Sequence, residues 1–508
     1  MRLVTAAEMR AIDREAIDRF AIPGLDLMER AGAAVSRAAR SLLPPGGRVL
    51  VLCGAGNNGG DGYVAARLLL AAAVPVRAVA VAPRERLQGD ALAACVAAAG
   101  AGVPIDDAGP VEASAGDLIV DALLGTGLTR APDGAFADAI HRVAAARAAG
   151  ARVLAVDVPS GLSADTGRPL GPCVRADRTV TFAFVKRGLV LHPGPDYAGE
   201  VELAEIGIPR EAASSVPVGC ELLTEDEARA LVPPRPIDAH KGTAGRVLVV
   251  AGSQGKSGAA HLALCGALRG GAGLVTLAAR AEVLPLALAG RPEAMSVVLP
   301  GSGPLGPDDL EPLVAAAQGV DAITVGPGIP RGSGTGALIG SLLRRAGIPA
   351  VLDADALNAL AEDPGQLSAG FPVPTVLTPH PGEMARLVGG TVASVQEDRI
   401  GLAVARSRAW RCVIVLKGAR TVVAAPDQPP AVIPTGNPGM ASGGTGDVLA
   451  GLVGAMLAAR LTPFDAARAA AFVHGLAGDL AAARVGQRGL LALDLVDALG
   501  MAWARWGR

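Results

Sequence analysis

RVLVLCGAGNNGGDGYVAARLLLAA, residues 48–72, decides how the first half of the chain folds. Arg48–Cys53 is a short apolar run of strand-forming residues. It is followed at once by Gly54-Ala55-Gly56-Asn57-Asn58-Gly59-Gly60-Asp61-Gly62, and then by an apolar stretch of helical character from Tyr63. Strand, glycine loop and helix in that order open a parallel α/β unit. Glycines let backbone amides approach a phosphate, and the helix N-terminus favours its negative charge. The embedded GxGxxG is a weak signal by itself. The acidic residue expected at the end of the next strand in a dinucleotide-dependent dehydrogenase is missing, because VRAVAVAPRER (76–86) offers Arg84 instead. Asn-Asn-Gly-Gly-Asp-Gly is rarer. Its amides and carboxylate supply oxygen ligands to a hard cation and hydrogen bonds to a ligand; a plain tight turn is the other reading.

Working outward, the strand pattern repeats in DLIVDALLG (117–125) and RVLAVDVPSG (152–161), each run ending in Gly, Asp or Ser. In open parallel sheets ligands bind beyond the carboxyl ends of the strands. Asn58, Asp121, Asp157 and Ser160 therefore converge there as a candidate site, with Arg130 nearby. Each aspartate taken singly reads better as a helix cap. Upstream, Thr5 and Glu8 fit a capping box, and Met9, Ile12 and Ala16 repeat at helical spacing. The second half restarts the pattern: RVLVVAGS (246–253), AITVGPG (322–328), PAVLDADAL (349–357), TVLTPHPGE (375–383) and CVIVLKG (412–418) read as buried strands followed by loops. Between the halves, residues 208–236 are proline-rich with no buried strand, which puts the boundary near 210–225. No short tandem repeat is present, which argues against a solenoid.

At 508 residues the chain is long enough for two domains, and 46 basic against 48 acidic residues leave a net charge of −2. That balance gives no field for nucleic acid or anionic membrane, and 2% aromatic residues argue against base stacking. The apolar run Val448–Ala459 is too short to span a bilayer and reads as a core helix. The charged, periodic start lacks the apolar stretch of a signal peptide. Six scattered cysteines without CxxC read as free thiols in a reducing cytoplasm, and six histidines without HxxxH or HxH spacing argue against zinc.

The strongest single feature is TGNPGMASGGTGDVLAGLVGAML (435–457), where Gly443-Gly444-Thr445-Gly446-Asp447 directly precedes an apolar helix. Successive amides and a helix N-terminus form an anion hole, and Asp447 in the first turn points at the same spot. Phosphoryl transfer to a hydroxyl needs such donors and a base. The plain alternative is a capping Asp after a flexible loop. SQGKSG (253–258) imitates the end of a Walker A motif, but the position five before Gly255 is Val250 rather than glycine, so no P-loop is present.

GAGNNGGDG, VDALLGTGL and VDVPSGL resemble the motifs of the NAD(P)HX epimerase family, the YjeF N-terminal domain. That family is Rossmann-like and interconverts the R and S hydrates of NADH and NADPH. The resemblance implies that Asn57, Asn58, Gly59, Gly60 and Asp61, together with Gly125, Thr126, Gly127, Leu128, Thr129 and Arg130, hold the substrate. It implies that Asp157 lies against it as a proton-transfer group and that potassium sits on Asn58, Asp121 and Ser160. Lys186, in TFAFVKRG, is a weaker acid–base candidate whose ordinary reading is a lysine after an edge strand. HKGTAGRVLVVAGS, GALRGGAGLVT, VGPG, LDADALN, LTPHPGE, VLKGARTVV and GNPGMASGGTGD are together similar to the ADP-dependent NAD(P)HX dehydratase family, the ribokinase-like YjeF C-terminal domain. There the 6-hydroxyl of the S hydrate is phosphorylated by ADP, and phosphate then leaves. The resemblance implies Asp447 as base and Gly446 in the nucleotide and anion site. Lys417, Gly418, Ala419, Arg420 and Thr421 fall on the AMP portion, and Ala260, Gly328 and His380 in the hydrate's pocket. His380 read alone is a structural loop histidine. Asp353 and Asp355 orient magnesium through water or cap a helix. The family usually carries an aromatic residue near Lys256, which this chain lacks.

The expectation is therefore an α/β chain with two domains. Residues 1–215 form a Rossmann-like three-layer epimerase domain, and residues 222–506 a ribokinase-like dehydratase domain. The expected enzyme uses K+ and Mg2+ with ADP as co-substrate and acts on NADHX and NADPHX. It binds neither nucleic acid nor membrane, and forms a cytoplasmic homo-oligomer. The alternatives are a ribokinase-fold kinase of a small alcohol or vitamin precursor, and an N-terminal half that binds ligand without catalysis.

Overall fold

The computed structural model describes residues 1–107 and 112–508. The chain divides into two compact units, Arg2–Gly219 and Cys220–Arg508, with Met1 grouped with the second.

The first unit is built on seven strands: β1 (Val49–Cys53), β2 (Val76–Ala80), β3 (Ile105–Asp107), β4 (Leu118–Ala122), β5 (Arg152–Val156), β6 (Arg178–Phe182) and β7 (Glu200–Ala204). They lie in the order β3-β2-β1-β4-β5-β6-β7, and every pairing is parallel. Side chains alternate across a strand, so one continuous apolar run serves both faces. Val49, Val51 and Cys53 enter a core with helices Gly24–Leu42, Asn57–Ala71 and Gly89–Gly100. Leu50 and Leu52 enter another with helix Gly134–Ala148. That is the expected three-layer arrangement. The strand order reverses between β1 and β4, and the Asn57–Ala71 helix starts directly at that switch point. The capping box is present: Glu8 N donates to Thr5 Oγ1 at 3.1 Å and Thr5 N to Glu8 Oε2 at 2.7 Å. A separate parallel pairing joins Leu3–Val4 to Val185–Lys186.

The second unit contains β8 (Arg246–Val250), β9 (Leu274–Arg280), β10 (Met295–Leu299), β11 (Ala322–Val325), β12 (Ala350–Leu352), β13 (Thr375–Leu377), β14 (Val413–Leu416), β15 (Val422–Ala425) and β16 (Gln428–Val432). Their order is β16-β15-β14-β13-β12-β11-β8-β9-β10, and Glu221–Leu222 pairs with β16 at the edge. Strands β8 to β14 are parallel, as the sequence pattern implies. The β14-β15-β16 arm is antiparallel, which that pattern did not show. Only Pro426 and Asp427 separate β15 from β16. So short a connection can only reverse the chain, because a parallel neighbour needs a long crossover. The 208–236 segment is also less empty than expected: it holds helices Arg210–Ser215 and Glu225–Leu231 and the short edge strand, which is not buried.

Helix Thr445–Ala458 is apolar on all sides and almost wholly buried. It packs against helix Ser257–Arg269 at two glycines. A Cβ on Gly451 would stand 1.9 Å from Ala263 O, and one on Gly266 2.2 Å from Val448 O. Backbone thus rests on backbone, which seats the start of the helix beside the switch point between β8 and β11. Gly451→Ala is expected to overpack this crossing and lower stability by about 1–3 kcal/mol, read as a shift in the denaturant midpoint of the second unit's unfolding.

Candidate active sites

The first site is a cavity of about 600 Å³ at the carboxyl ends of β1, β4 and β5. Asn57, Asn58 and Asp61 line it from the first turns of helix Asn57–Ala71, which takes up most of the expected glycine loop, and Gly125–Arg130 line it from the loop after β4. Gly59 and Gly60 do not reach its wall. A Cβ on Gly59 would meet Gly54 O at 2.0 Å and one on Gly60 would meet Met28 at 2.6 Å, so these two glycines serve close packing.

Asp157 lies in the cavity wall with a left-handed backbone, φ +62°, an unfavourable conformation for a residue with a Cβ. Its Oδ1 accepts from Lys186 Nζ at 2.5 Å, Thr181 Oγ1 at 3.0 Å and Phe182 N at 3.4 Å. Lys186 is 1% exposed, so the reading as an ordinary lysine after an edge strand is wrong. Its ammonium also donates to Phe182 O at 2.9 Å and Thr181 Oγ1 at 3.3 Å, so three acceptors face its three protons. Two more carboxyls share this field. Burial, and then Asp157, push Asp61 well above the usual carboxylate range, with Lys186 opposing. Burial raises Asp13 to about 6, Lys186 pulls it down and Asp157 pushes it up. Asp13 also lines the cavity, and the sequence reading gave it no role.

Asp121 and Ser160 lie completely buried and bonded to each other. Ser160 Oγ donates to Asp121 Oδ1 at 2.6 Å, and Ser160 N to Oδ2 at 2.8 Å. Even so, burial raises Asp121 to about 6. Asn58 Nδ2 is buried without a partner, and a Cβ on Gly125 would stand 3.0 Å from Asn58 Oδ1. Asp121 and Ser160 offer hard oxygens, and among the described residues no basic side chain pairs with Asp121.

The second site gathers around Lys417, at the end of β14. Its Nζ lies 2.7 Å from Asp353 Oδ1 and 3.8 Å from Glu383 Oε2, and a Cβ on Gly446 would stand 3.2 Å from it. Burial alone would lower the Lys417 pKa, but Asp353 and Glu383 together hold it above the ordinary value. Asp447 follows Gly446 in the first helical turn. Burial first, then Asp353, raise it to about 7, with Lys417 opposing. His380 caps helix Pro381–Val388: its Nδ1 accepts from Gly382 N at 3.0 Å and Glu383 N at 3.3 Å. It therefore has the structural role and also stands near Lys417, which with burial lowers its pKa. Asp355 pairs with Lys256 at 2.9 Å and Arg331 at 3.2 Å, and neither it nor Asp353 caps the helix that follows. Ala260 and Gly328 sit buried at the β8/β11 switch point, next to Gly252 and Lys256 respectively.

Two supporting residues escaped the sequence reading. Arg399 is largely buried and donates to the carbonyls of Leu416 (3.0 Å), Lys417 (3.2 Å) and Ala419 (2.8 Å), which shapes the 417–421 loop from beneath. Burial lowers its pKa to about 10. His474 Nε2 lies 2.8 Å from Thr445 O, and burial lowers its pKa to about 4, so the neutral ring donates to the first carbonyl of the Asp447 helix. Neither residue belongs to a motif, and both are seen only once distant helices pack.

Residues 24–188 match the family described as YjeF-related protein N-terminus, and residues 247–500 that described as NAD(P)H-hydrate dehydratase. The bifunctional NAD(P)H-hydrate repair enzyme Nnr of Moorella thermoacetica is 44% identical, over 98% of this chain and 96% of its own. The chain belongs to the bifunctional NAD(P)H-hydrate repair enzymes. The Escherichia coli member is 40% identical over 97% of this chain and 92% of its own. A ribokinase-like superfamily protein of Enterococcus faecalis shares the fold of the second unit, with a TM-score of 0.50 and 26% identity over 57% of this chain and 96% of its own. Membership over nearly the whole length sets aside the small-alcohol kinase with a non-catalytic N-terminal half.

Removing one member of a buried ion pair leaves an uncompensated charge. Lys186→Met is expected to destabilise the first unit by about 3–5 kcal/mol, and Lys186→Met with Asp157→Asn to recover part of that loss. Chemical unfolding of both variants checks this.

Proposed function

We propose that residues 1–215 interconvert the R and S hydrates of NADH and NADPH, and that residues 222–506 dehydrate the S hydrate at the expense of ADP, releasing AMP and phosphate. The observation that carries the reading is Asp447: a half-buried carboxyl raised to about 7, in the first turn of a helix after a glycine-rich loop, beside the half-buried Lys417. Near neutral pH such a group accepts a proton readily. Asp447 takes the proton of the 6-hydroxyl as that oxygen bonds to the β-phosphorus of ADP, and the bond from that phosphorus to the bridging oxygen breaks to leave AMP. The C6–O bond of the phosphate ester then breaks with its electron pair on phosphate, and loss of a proton from C5 completes the double bond. Lys417 and the amides of the 443–446 loop face the charge that develops on the transferring group. Lys417–Thr421 contact the AMP portion, and His380 borders the hydrate.

In the first unit Asp157, oriented by Lys186 and Thr181, exchanges a proton at the 6-hydroxyl, while Asn57, Asn58, Asp61 and the 125–130 loop hold the dinucleotide. Asn58, Asp121 and Ser160 would hold potassium, which would supply positive charge beside the substrate loops. Asp353 and Asp355, both hard oxygen donors, would orient magnesium, which would supply charge to the phosphates. We assign the enzyme to the cytoplasm as a homo-oligomer with free thiols; among the described residues no helix is long and apolar enough to cross a membrane.

Purified chain with mixed R and S NADHX, magnesium, potassium and ADP is expected to restore the full absorbance at 340 nm. Recovery that stops at the S fraction, after spontaneous epimerisation is subtracted, removes the epimerase assignment. Asp447→Ala is expected to lower dehydratase turnover by several powers of ten, as loss of a positioned base and its transition-state contacts requires, and to leave epimerisation intact. A variant within about tenfold of wild type rejects the role. Because the deprotonated carboxylate is the active form, kcat/KM for the S hydrate should fall about tenfold per pH unit below about 7, and Asp447→Asn should abolish that limb.

A further inference from the structure

Epimerisation at C6 needs a proton delivered to the departing oxygen and a proton taken from the incoming one. Asp157 supplies one such group, already anchored by three hydrogen bonds. The cavity holds a second carboxyl that no motif covers. Met9 and Asp13 on helix Ala6–Arg14, and Ile17 on the turn that follows it, lie four residues apart and line the cavity wall. From Glu15 the helix widens into a π-helical turn, Glu15–Arg19, a distortion that recurs at functional sites. Among the described residues Asp13 makes no hydrogen bond and no ion pair, although it is half-buried and within the field of Asp157 and Lys186. A carboxyl facing a ligand cavity and engaged by nothing in the protein is free to engage the ligand.

We propose that Asp13 is the second proton-transfer residue of the epimerase cavity and works on the 6-hydroxyl together with Asp157. This rests on the epimerase reading given above. The Asp13 carboxyl gives its proton to the 6-hydroxyl oxygen. The C6–O bond breaks with its electron pair on the departing water, and the ring nitrogen's lone pair forms the C6=N1 bond. Water adds to the other face of C6 and passes one proton to the Asp157 carboxylate, while the C6=N1 pair returns to nitrogen. One proton enters and one leaves, nothing is oxidised, and exchange with solvent resets both carboxyls; in the reverse direction the same steps run backwards. The value of about 6 for Asp13 suits a group that gives and regains a proton near neutrality. The other charged groups in the cavity wall are Arg10, Asp61, Asp90, Arg130 and Lys186. Of the carboxyls among them, Asp61, in the second turn of helix Asn57–Ala71 and in the field of Asp157 and Lys186, is the competitor.

The test uses the full chain, with R-to-S conversion of NADPHX followed by chromatography and the ADP-dependent reaction of the S hydrate as the folding control. Asp13→Asn is expected to lower epimerase kcat by about 100-fold or more, with KM changed less than about threefold and the dehydratase rate unchanged. Asp13→Glu is expected to regain at least about a tenth of the wild-type rate, the carboxyl being restored. Asp13→Asn with wild-type kcat overturns the proposal, as does a loss confined to KM, which would make Asp13 a binding residue. Loss in Asp61→Asn alone assigns the transfer to Asp61 and overturns it as well. A wild-type chain that fails to accelerate epimerisation removes the epimerase reading and this proposal with it. Acceleration by wild type together with an unaffected Asp13→Asn removes only the role of Asp13.

Discussion

Each unit is organised around one lysine, buried in the first and half-buried in the second, that faces more carboxyls than it can neutralise. In the first unit Lys186 is bonded to Asp157, with Asp13 and Asp61 in the same field. In the second, Lys417 is bonded to Asp353 and faces Glu383 and Asp447. A buried charge is tolerated only when paired, and each lysine is bonded to one carboxylate. The remaining carboxyls then meet desolvation and like-charge repulsion, and both favour keeping a proton. The strand ends and glycine loops deliver these side chains to one place. The charge imbalance turns that placement into acid–base chemistry near neutral pH.

The parts of this arrangement that were legible in the sequence are the local ones. Arg48–Gly62 and Gly443–Asp447 state strand, loop and helix within a few residues; the second helix begins at Thr445, but the first begins at Asn57 rather than Tyr63, because its glycines pack inside the first turns. The alternation of apolar runs announced the parallel sheets and their switch points. Lys186 was misread because its burial is decided 180 residues away: it lies in a two-residue strand whose partner is Leu3–Val4, a pairing with no sequence signature. Asp13 looked like one more polar position on an amphipathic helix, since the cavity it faces is built by other elements. Arg399 and His474 act on backbone carbonyls, and any carbonyl looks alike in a sequence. The antiparallel arm escaped because Pro429 and Pro430 lower strand propensity in β16, which lies near the sheet edge, where proline is tolerated.

Stability and chemistry are coupled most tightly at the glycines and at the few strained residues. Gly451 and Gly266 allow two helices to meet at backbone distance, which sets where Asp447 stands. Asp157, Ala354 and Arg420 adopt left-handed backbones without being glycine, and all three lie in the loops of the two sites. Such conformations persist only where the surroundings over-determine them. Around Asp157 those surroundings are its hydrogen bonds to Lys186, Thr181 and Phe182.

The pairing of Leu3–Val4 with Val185–Lys186 ties a distant stretch of sequence to the wall of the first cavity. Leu3 and Val4 are completely buried, and the strand they form holds the backbone of the lysine that orients Asp157. Leu3 and Val4 cannot change without disturbing the lysine they support, so two stretches far apart in sequence constrain one another.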